Sequence, residues 1–270
     1  MPEARASPSD PSGAYRQRCR VPAYDVGANH RLTVPGLLRQ LHEVAQAHAA
    51  SLGYGYAQLQ PRGLAWALVT LELELRALPG GGADYTVATA VGATRGPLAY
   101  RDYVATDQGG RVFAGGQSMW ALIDTGSRST APPPPDLLDV LTRMHTRIQE
   151  SVDGVRRFAA PPSAELVVAD QRRVHYHDCD LNGHLNNVVA ARWLLDTVYA
   201  ADPVLRSIRA GDQDAVRLRL SYFQELLLGE RVLCRTGKLP DGTRVATLLR
   251  ARDERVCVVA SLGERLAVGD

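Results

Sequence analysis

The sequence predicts a protein of the α+β class, in which one unit occurs twice: a strand, a long helix and then four antiparallel strands. Two observations lead to this prediction. Each half of the 270-residue chain contains one long helical pattern followed by strand patterns. The halves also align without a gap at a shift of 153 positions, which separates Asp25 from Asp178 and Leu41 from Leu194. A duplicated unit explains both observations.

The first half begins with a strand at residues 16–21 and continues with a long amphipathic helix. Thr33 is a residue type favoured at a helix N-cap, and the proline at position 35 suits a first helical turn. Gly53 ends the helical pattern. The apolar residues at helical spacing between these limits are Leu37, Leu38, Leu41, Val44, Ala45 and Leu52. His48 lies on the same side, where we expect a hydrogen-bonded core histidine.

Strand patterns fill the rest of the first half, and the second half repeats the order. The first set of strands is predicted at 64–75, 85–91, 100–107 and 112–123. A proline run at 131–135 marks a linker, and residues 136–150 predict a short helix. The second half is predicted to contain a strand at 166–174, a helix from Asn187 to about Ala201, and strands at 215–223, 231–237, 245–252 and 256–262.

A helix wrapped by a curved antiparallel sheet is the hotdog arrangement. The chain is therefore predicted to be a tandem (double) hotdog that forms an internal pseudo-dimer. We expect an N-terminal hotdog over residues 14–130, a linker with a short helix over 131–163, and a C-terminal hotdog over 164–270. Residues 1–13 are rich in Pro, Ser and Ala, so we expect a disordered tail rather than a signal peptide.

Composition argues against several classes of function. The net charge is +2, and no basic run with interleaved aromatic residues indicates nucleic-acid binding. No stretch approaches the ~18 consecutive apolar residues of a membrane span. The four cysteines form no C-x-x-C pair and suit neither a zinc site nor a disulfide framework, which favours a reducing cytoplasm. We expect no metal and no other cofactor.

One stretch of the second half, His175–Asn187, is dense in polar side chains: three His, two Asp and three Asn. Buried polar groups need partners, so this density indicates a functional loop rather than core. The order of the residues does not fit H-E-x-x-H or a binuclear hydrolase pattern, which argues against a metal site. Cys179 is a poor candidate nucleophile because its neighbour Asp180 opposes thiolate formation.

Acid–base chemistry fits this loop best. Asp180, Asn182 and His184 alternate along what we expect to be an extended loop, so their side chains can share one side. The N–H groups at the start of the following helix, around Asn186 and Asn187, are placed to polarise a carbonyl group. At least one of these two asparagines is expected to cap the helix.

The loop lacks a group that activates water, and Glu225 is the best candidate. It follows an apolar strand and precedes three leucines. A carboxylate in apolar surroundings has a raised pKa, which suits a general base. A solvated turn carboxylate is the alternative. The aligned loop of the first half has Gly27 in place of Asp180 and Arg31 in place of His184, so only one copy retains the chemistry.

These residues resemble the acyl-acyl carrier protein thioesterase family of plants and bacteria, from about Tyr15 to Leu266. Asp180-Leu-Asn-Gly-His-Leu-Asn-Asn187 followed by Trp193 is similar to the family's D-x-N-x-H-x-N-N…W. Tyr222-Phe-Gln-Glu225 is similar to the segment with its catalytic glutamate. Segments of the first half that are similar to family signatures are 24–27, 63–66, 101–103 and 118–124.

The resemblance implies a double hotdog that hydrolyses the thioester between a fatty acyl chain and the phosphopantetheine arm of the acyl carrier protein. Carried over by position, it implies that Asp180, Asn182, His184 and Glu225 are catalytic. Plant members have a cysteine directly after the glutamate, whereas this chain has Leu226. That difference favours water activated by Glu225, although direct attack by Glu225 to form an anhydride stays open.

The resemblance also implies that the first half holds the acyl chain. Candidate tunnel walls are Leu37, Leu41, Val44 and Trp66, and ordinary core packing is the alternative for each. The family's carrier protein is acidic, so an arginine patch should dock it. Arginines near the loop in sequence are Arg172, Arg173, Arg192, Arg206 and Arg209. The sequence does not decide whether the protein is a homodimer.

Three competing functions stay open. An acyl-CoA thioesterase would use the same site chemistry, and the sequence does not distinguish the two carriers. A non-catalytic acyl-binding hotdog is disfavoured by the polar loop and Glu225. A hotdog dehydratase also uses His and Asp, but the combination of Asn182 with Glu225 favours hydrolysis.

Overall fold

A computed structural model describes residues 13–148, 154–162, 165–201 and 215–264. The predicted tail therefore lies outside the described residues, apart from Gly13. Packing divides the chain into two units. The first comprises Met1–Leu73 with Leu78–Val155, and the second comprises Glu74–Ala77 with Arg156–Asp270.

The first unit contains the long helix that the sequence predicts. Helix α1 is Val34–Ser51, and the Thr33 hydroxyl caps it by accepting the Gly36 N–H at 3.1 Å. Gly36 is required here because a Cβ at this position would lie 2.7 Å from the Cβ of Asp25. Helix α1 ends where Gly53 takes a φ of +81°, as the sequence indicates.

Antiparallel strands cover α1. They are β1 (Tyr15–Arg20), β2 (Leu64–Leu75), β3 (Asp84–Arg95), β4 (Leu98–Asp107), β5 (Val112–Asp124) and β6 (Ser129–Thr130). Their order is β1-β3-β4-β5-β2, and β6 pairs with β5. Two short helices, α2 (Tyr56–Leu59) and α3 (Pro135–Arg143), complete the first unit. The sequence patterns did not predict α2 or β6, since each is shorter than the window in which periodicity can be recognised.

The helix predicted at residues 136–150 is too long, because α3 ends at Arg143. Beyond it the chain bonds to the sheet of the same unit. The Thr146 N–H donates to the Val91 carbonyl at 2.9 Å, and the Asp102 carboxylate accepts the Ile148 N–H at 3.1 Å. These bonds to the sheet replace the intrahelical ones that the pattern alone would favour.

The second unit repeats the first. Its elements are β7 (Val167–Arg173), α4 (Asn187–Ala201), β8 (Val216–Tyr222), β9 (Arg231–Lys238), β10 (Arg244–Arg250) and β11 (Arg255–Glu264). The strands of the second unit have the order β7-β9-β10-β11-β8. This is the order β1-β3-β4-β5-β2 of the first unit, with β7 to β11 as the counterparts of β1 to β5. Helix α4 packs on β9, β10 and β11, with Leu194 fully buried. None of the described helices is long and apolar enough to cross a membrane.

The loops that lead into the two helices also share their hydrogen bonds. Each loop contains a one-turn 3₁₀ helix, Ala23–Asp25 in the first unit and Tyr176–Asp178 in the second. Two backbone hydrogen bonds, each 2.8 Å long, occur in both loops. In the first unit the N–H groups of Gly27 and Thr33 donate to the carbonyls of Arg31 and Asp25. In the second unit the N–H groups of Asp180 and Asn186 donate to the carbonyls of His184 and Asp178. Every residue of the second set lies 153 positions after its counterpart, so the shift found in the sequence also relates the backbone hydrogen bonds of the two loops.

His48 is the buried core histidine that the helical pattern indicates. Only 3% of its surface is exposed, its Nδ1 lies 3.0 Å from Arg101 Nη1, and its ring stacks on Tyr15. Burial, with a smaller contribution from the charge on Arg101, lowers the pKa of His48 to about 3. The ring is therefore neutral at ordinary pH and accepts a hydrogen bond from the guanidinium.

Acid should destabilise the protein through this histidine. Below pH ~6.5 the unfolded chain binds a proton that the folded chain excludes until about pH 3, so stability falls as the pH falls across that interval. The cost is about 1.4 kcal/mol per pH unit, or roughly 2 kcal/mol between pH 6.5 and 5. Urea unfolding at pH 7 and pH 5 should show a smaller loss for His48→Gln than for the wild type. Equal losses in the two proteins would contradict this assignment.

Candidate active site

The polar loop forms a tight turn closed by Asp180, which corrects the extended loop expected from the sequence. The Asp180 Oδ1 accepts the N–H groups of Asn182 at 2.8 Å and His184 at 3.3 Å. The Asp180 carbonyl accepts the Gly183 N–H at 3.0 Å, and Gly183 has a φ of +77° that favours glycine. Asp180 therefore sets the conformation of the turn and the position of the His184 backbone.

Helix α4 begins directly after this turn, and Asn186 is its N-cap. The Asn186 Oδ1 accepts the Val188 N–H at 2.8 Å, which confirms the expected capping role for one of the two asparagines. The N–H groups of Asn187 and Val189 belong to the same first turn and have no acceptor within the helix. The Tyr222 hydroxyl donates to the Asn187 carbonyl at 3.1 Å and links the start of α4 to the end of β8.

The backbone brings Glu225 to His184 across 41 residues of sequence. The Leu185 N–H donates to the Leu226 carbonyl at 2.7 Å, and His184 pairs with Leu227 in an antiparallel bridge. Glu225 Oε1 then lies 3.5 Å from His184 Nδ1. The structure thus places a carboxylate and an imidazole side by side just before α4, an arrangement that acid–base chemistry can use.

The surroundings of Glu225 differ from those expected. The leucines that follow it in sequence suggested apolar burial, but 43% of the Glu225 side chain is exposed, against 23% for His184. The reason is that Leu227 and Leu228 themselves point into solvent. Glu225 therefore lies beside an imidazole at a half-exposed position rather than in an apolar pocket.

Asn182 lies at the exposed corner of the turn, between Asp180 and Gly183. Within the described part of the chain, its side-chain amide has no hydrogen-bond partner. The amide is therefore available to an external group, whereas the Asp180 carboxylate is occupied by the backbone of the turn.

The other polar residues of the loop have framework contacts. The Asp178 carboxylate accepts the His175 N–H at 2.9 Å. Burial, with the charges of Asp178 and Asp180, raises the pKa of Cys179, so a thiolate at this position is disfavoured. Among the residues described, no group of three or more His, Cys, Asp or Glu side chains is arranged to hold a metal ion.

The first unit has a different set at the equivalent positions. Arg31, the counterpart of His184, donates from Nη1 to the Leu78 carbonyl at 2.8 Å. In the second unit, Leu185 bonds to Leu226; in the first, Leu32 bonds to Pro79 at 2.8 Å, so Leu78 stands where the second unit has Glu225. The sequence alignment did not show that Leu78 replaces Glu225, because the shift of 153 positions between the two halves does not hold beyond the helices.

The candidate tunnel residues lie in the first unit. Leu37, Leu41 and Val44 are at most 1% exposed on α1, and Trp66 is half-buried against a cluster that includes Leu59 and Leu122. Core packing accounts for these contacts, so a role for the four residues in acyl binding stays a prediction.

We expect Asp180→Ala to impair catalysis by releasing the turn, since both N–H groups that the carboxylate accepts would lose their acceptor. Asp180→Asn keeps an acceptor oxygen and should restore most of the activity. The loss in kcat for Asp180→Ala should be about ten-fold to a hundred-fold, measured beside the circular dichroism spectrum. If the asparagine variant is as impaired as the alanine variant, the charge of Asp180 rather than its bonds to the turn is required.

Comparisons with known proteins agree with this fold. Residues 12–141 match the family model described as the acyl-ACP thioesterase N-terminal domain. The acyl-ACP thioesterase structure from Bacteroides thetaiotaomicron superposes with a TM-score of 0.78 at 20% identity, covering 94% of this chain and 98% of that one. This likeness confirms the double hotdog.

Curated plant proteins are similar in sequence. A chloroplastic acyl-[acyl-carrier-protein] hydrolase of Cuphea viscosissima is 23% identical over 211 residues, which cover 68% of this chain and 47% of the relative. The chloroplastic oleoyl-acyl carrier protein thioesterase 1 of Arabidopsis thaliana is 24% identical over 201 residues, covering 68% and 55%. The chain thus spans about half the length of the curated relatives it matches.

Fold and loop together define a double hotdog protein with a histidine–glutamate pair in one of its two copies. The chain is similar to acyl-ACP thioesterases: the model of their N-terminal domain matches 130 of its 270 residues, and solved members share its fold.

Proposed function

We propose that this protein hydrolyses fatty acyl-acyl carrier protein thioesters and releases free fatty acids. The observation that supports the proposal best is the 3.5 Å approach of Glu225 Oε1 to His184 Nδ1 beside the N-terminus of α4. A thioester carbonyl placed there would face both a base and backbone N–H donors.

In the proposed reaction Glu225 takes a proton from water, whose oxygen attacks the thioester carbonyl carbon. The oxyanion that forms accepts hydrogen bonds from N–H groups at the start of α4 and from the Asn182 amide. The tetrahedral intermediate then collapses, the carbon–sulfur bond breaks, and the proton held by Glu225 passes to the departing thiolate. His184 orients the carboxylate, and Asp180 holds the turn on which His184 lies.

The proposal extends to the substrate and the compartment. The first unit would hold the acyl chain, with Leu37, Leu41, Val44 and Trp66 as walls. Each buried methylene contributes about 0.8 kcal/mol, so the depth of the tunnel would set the preferred chain length. All four cysteines are free, and three are buried, which supports a reducing compartment such as the cytoplasm.

A hydrolysis screen tests the function. Purified protein is incubated with acyl carrier protein loaded with saturated acyl chains of graded length, and with the matched CoA thioesters, while free thiol release is followed. We expect release from the carrier-protein thioesters, with one preferred range of chain length. A strong preference for CoA thioesters would overturn the choice of carrier, and tight binding without turnover would indicate an acyl-binding protein.

A further inference from the structure

An exposed aliphatic rim borders the histidine–glutamate pair. It consists of Leu181, Leu227 and Leu228, whose exposed fractions are 66%, 39% and 56%. Leu181 lies in the turn that Asp180 closes. The antiparallel bridge between His184 and Leu227 places this turn beside the segment that contains Leu227 and Leu228. Three large apolar side chains in solvent at one site are costly unless a partner covers them.

Arginines lie next to this rim. Arg173, the last residue of β7, is directly opposite Arg231, the first residue of β9, and its Nε donates to the Gly229 carbonyl at 3.0 Å. Arg252 is adjacent, because the Ala251 N–H donates to the Arg231 carbonyl, and its Nη2 lies 3.3 Å from Glu230 Oε1. Like charges that face each other across two strands repel. In the part of the chain described, neither Arg173 nor Arg231 has a carboxylate partner, so an anionic partner would relieve the repulsion.

The arginines that the sequence singled out have different positions. Arg172 is engaged within its own unit, by Asp170 at 2.7 Å and by the Trp193 ring at 5.3 Å. The Nη2 atom of Arg192 lies 4.0 Å from the Oδ1 atom of Asp178. Arg206 and Arg209 fall outside the described residues. Of the predicted set, Arg173 is thus the described residue that belongs to the surface beside the rim.

We propose that the leucine rim and the cluster of Arg173, Arg231 and Arg252 form the docking surface for the acidic carrier protein. This inference rests on the proposed function. When the thioester at the end of the phosphopantetheine arm reaches the site, the carrier protein contacts the surface around His184 and Glu225. The rim supplies an apolar contact, and the arginines complement acidic side chains around it.

Matched substrates test the surface. Steady-state kinetics are measured with one acyl chain as the thioester of acyl carrier protein and of N-acetylcysteamine, which has no protein body. The variants are Leu181→Ser/Leu228→Ser and Arg173→Gln/Arg231→Gln. The control is Leu138→Ser, which removes a leucine of similar exposure (43%) from α3 of the first unit.

For both double variants we expect KM for the carrier-protein thioester to rise about ten-fold, with kcat on either substrate unchanged. The arginine variant should also lose most of the rise in KM that salt causes in the wild type. Leu138→Ser should match the wild type. An unchanged KM for the carrier thioester, or an equal loss on both thioesters, would overturn the proposal.

A binding measurement separates this proposal from the proposed function. If the wild type hydrolyses neither thioester, fluorescence anisotropy of labelled, unloaded carrier protein still tests docking. Weaker binding by both double variants then supports the surface, and unchanged binding overturns it. Loss of binding to anionic phospholipid vesicles, with carrier binding intact, would assign the surface to a membrane instead.

Discussion

Glu225→Gln should lower kcat by about 10²- to 10⁴-fold while leaving the fold intact. The amide has nearly the shape of the carboxylate but cannot take a proton from water. Glu225 is 43% exposed in the loop between β8 and β9, so no core packing depends on its charge. KM should change little, because in the proposed complex the carrier and the acyl chain contact other residues. Single-turnover measurements of thiol release, beside circular dichroism spectra, check both expectations.

The control is Glu43→Gln, the same substitution at an exposed position of α1 in the other unit. It should leave kcat unchanged. Turnover of Glu225→Gln within two-fold of the wild type would remove Glu225 from the mechanism. A parallel loss in both variants would indicate a general effect of charge rather than a role at the site.

Asp102→Ala should be the most destabilising substitution that the contacts of the first unit suggest. The Asp102 side chain is fully buried and accepts bonds from Arg147 Nε at 2.7 Å, Gln117 Nε2 at 2.8 Å and the Ile148 N–H. Two donors, the buried Gln117 amide and the Ile148 N–H, lose their acceptor at a cost of about 1–3 kcal/mol each, whereas Arg147, 39% exposed, can bond to water. Urea unfolding followed by tryptophan fluorescence measures the loss.

Asp84→Ala provides the comparison, since Asp84 pairs with Arg20 at 2.8 Å on the surface of the same unit. An exposed pair of this kind contributes about 1 kcal/mol or less. The difference between the two variants should therefore exceed ~1 kcal/mol. Similar losses for the two aspartates would show that the bonds of Asp102 to the segment after α3 are not held in solution.

Local patterns predicted most of the elements. The cap at Thr33, the spacing of leucines in α1 and the glycine after it specify one helix, because each acts through neighbouring residues. The end of α3 was predicted wrongly for the complementary reason. Its pattern continues to residue 150, but Val91 and Asp102, distant in sequence, bind the chain after Arg143.

For the candidate site, the sequence predicted which residues share one loop but not how they are arranged in space. Asp180, Asn182 and His184 are close in sequence, so their membership of one loop follows from the motif. Their arrangement does not, because a side-chain carboxylate that accepts backbone N–H groups converts the loop into a turn. Tyr222 lay within a recognised segment, yet its bond to Asn187 gives no signal in a single sequence.

The sequence by itself determined the duplication, the helix that follows each loop, and the loss of the polar residues from one copy, since these are properties of residue type and spacing. Only the tertiary structure decided that Glu225 meets His184, that its side chain is half-exposed, and that Leu78 replaces it in the first unit. Those facts depend on bonds between the loop and the end of a distant strand, where Leu185 meets Leu226. Pairing of this kind is set by the register of the folded chain, which local sequence does not encode.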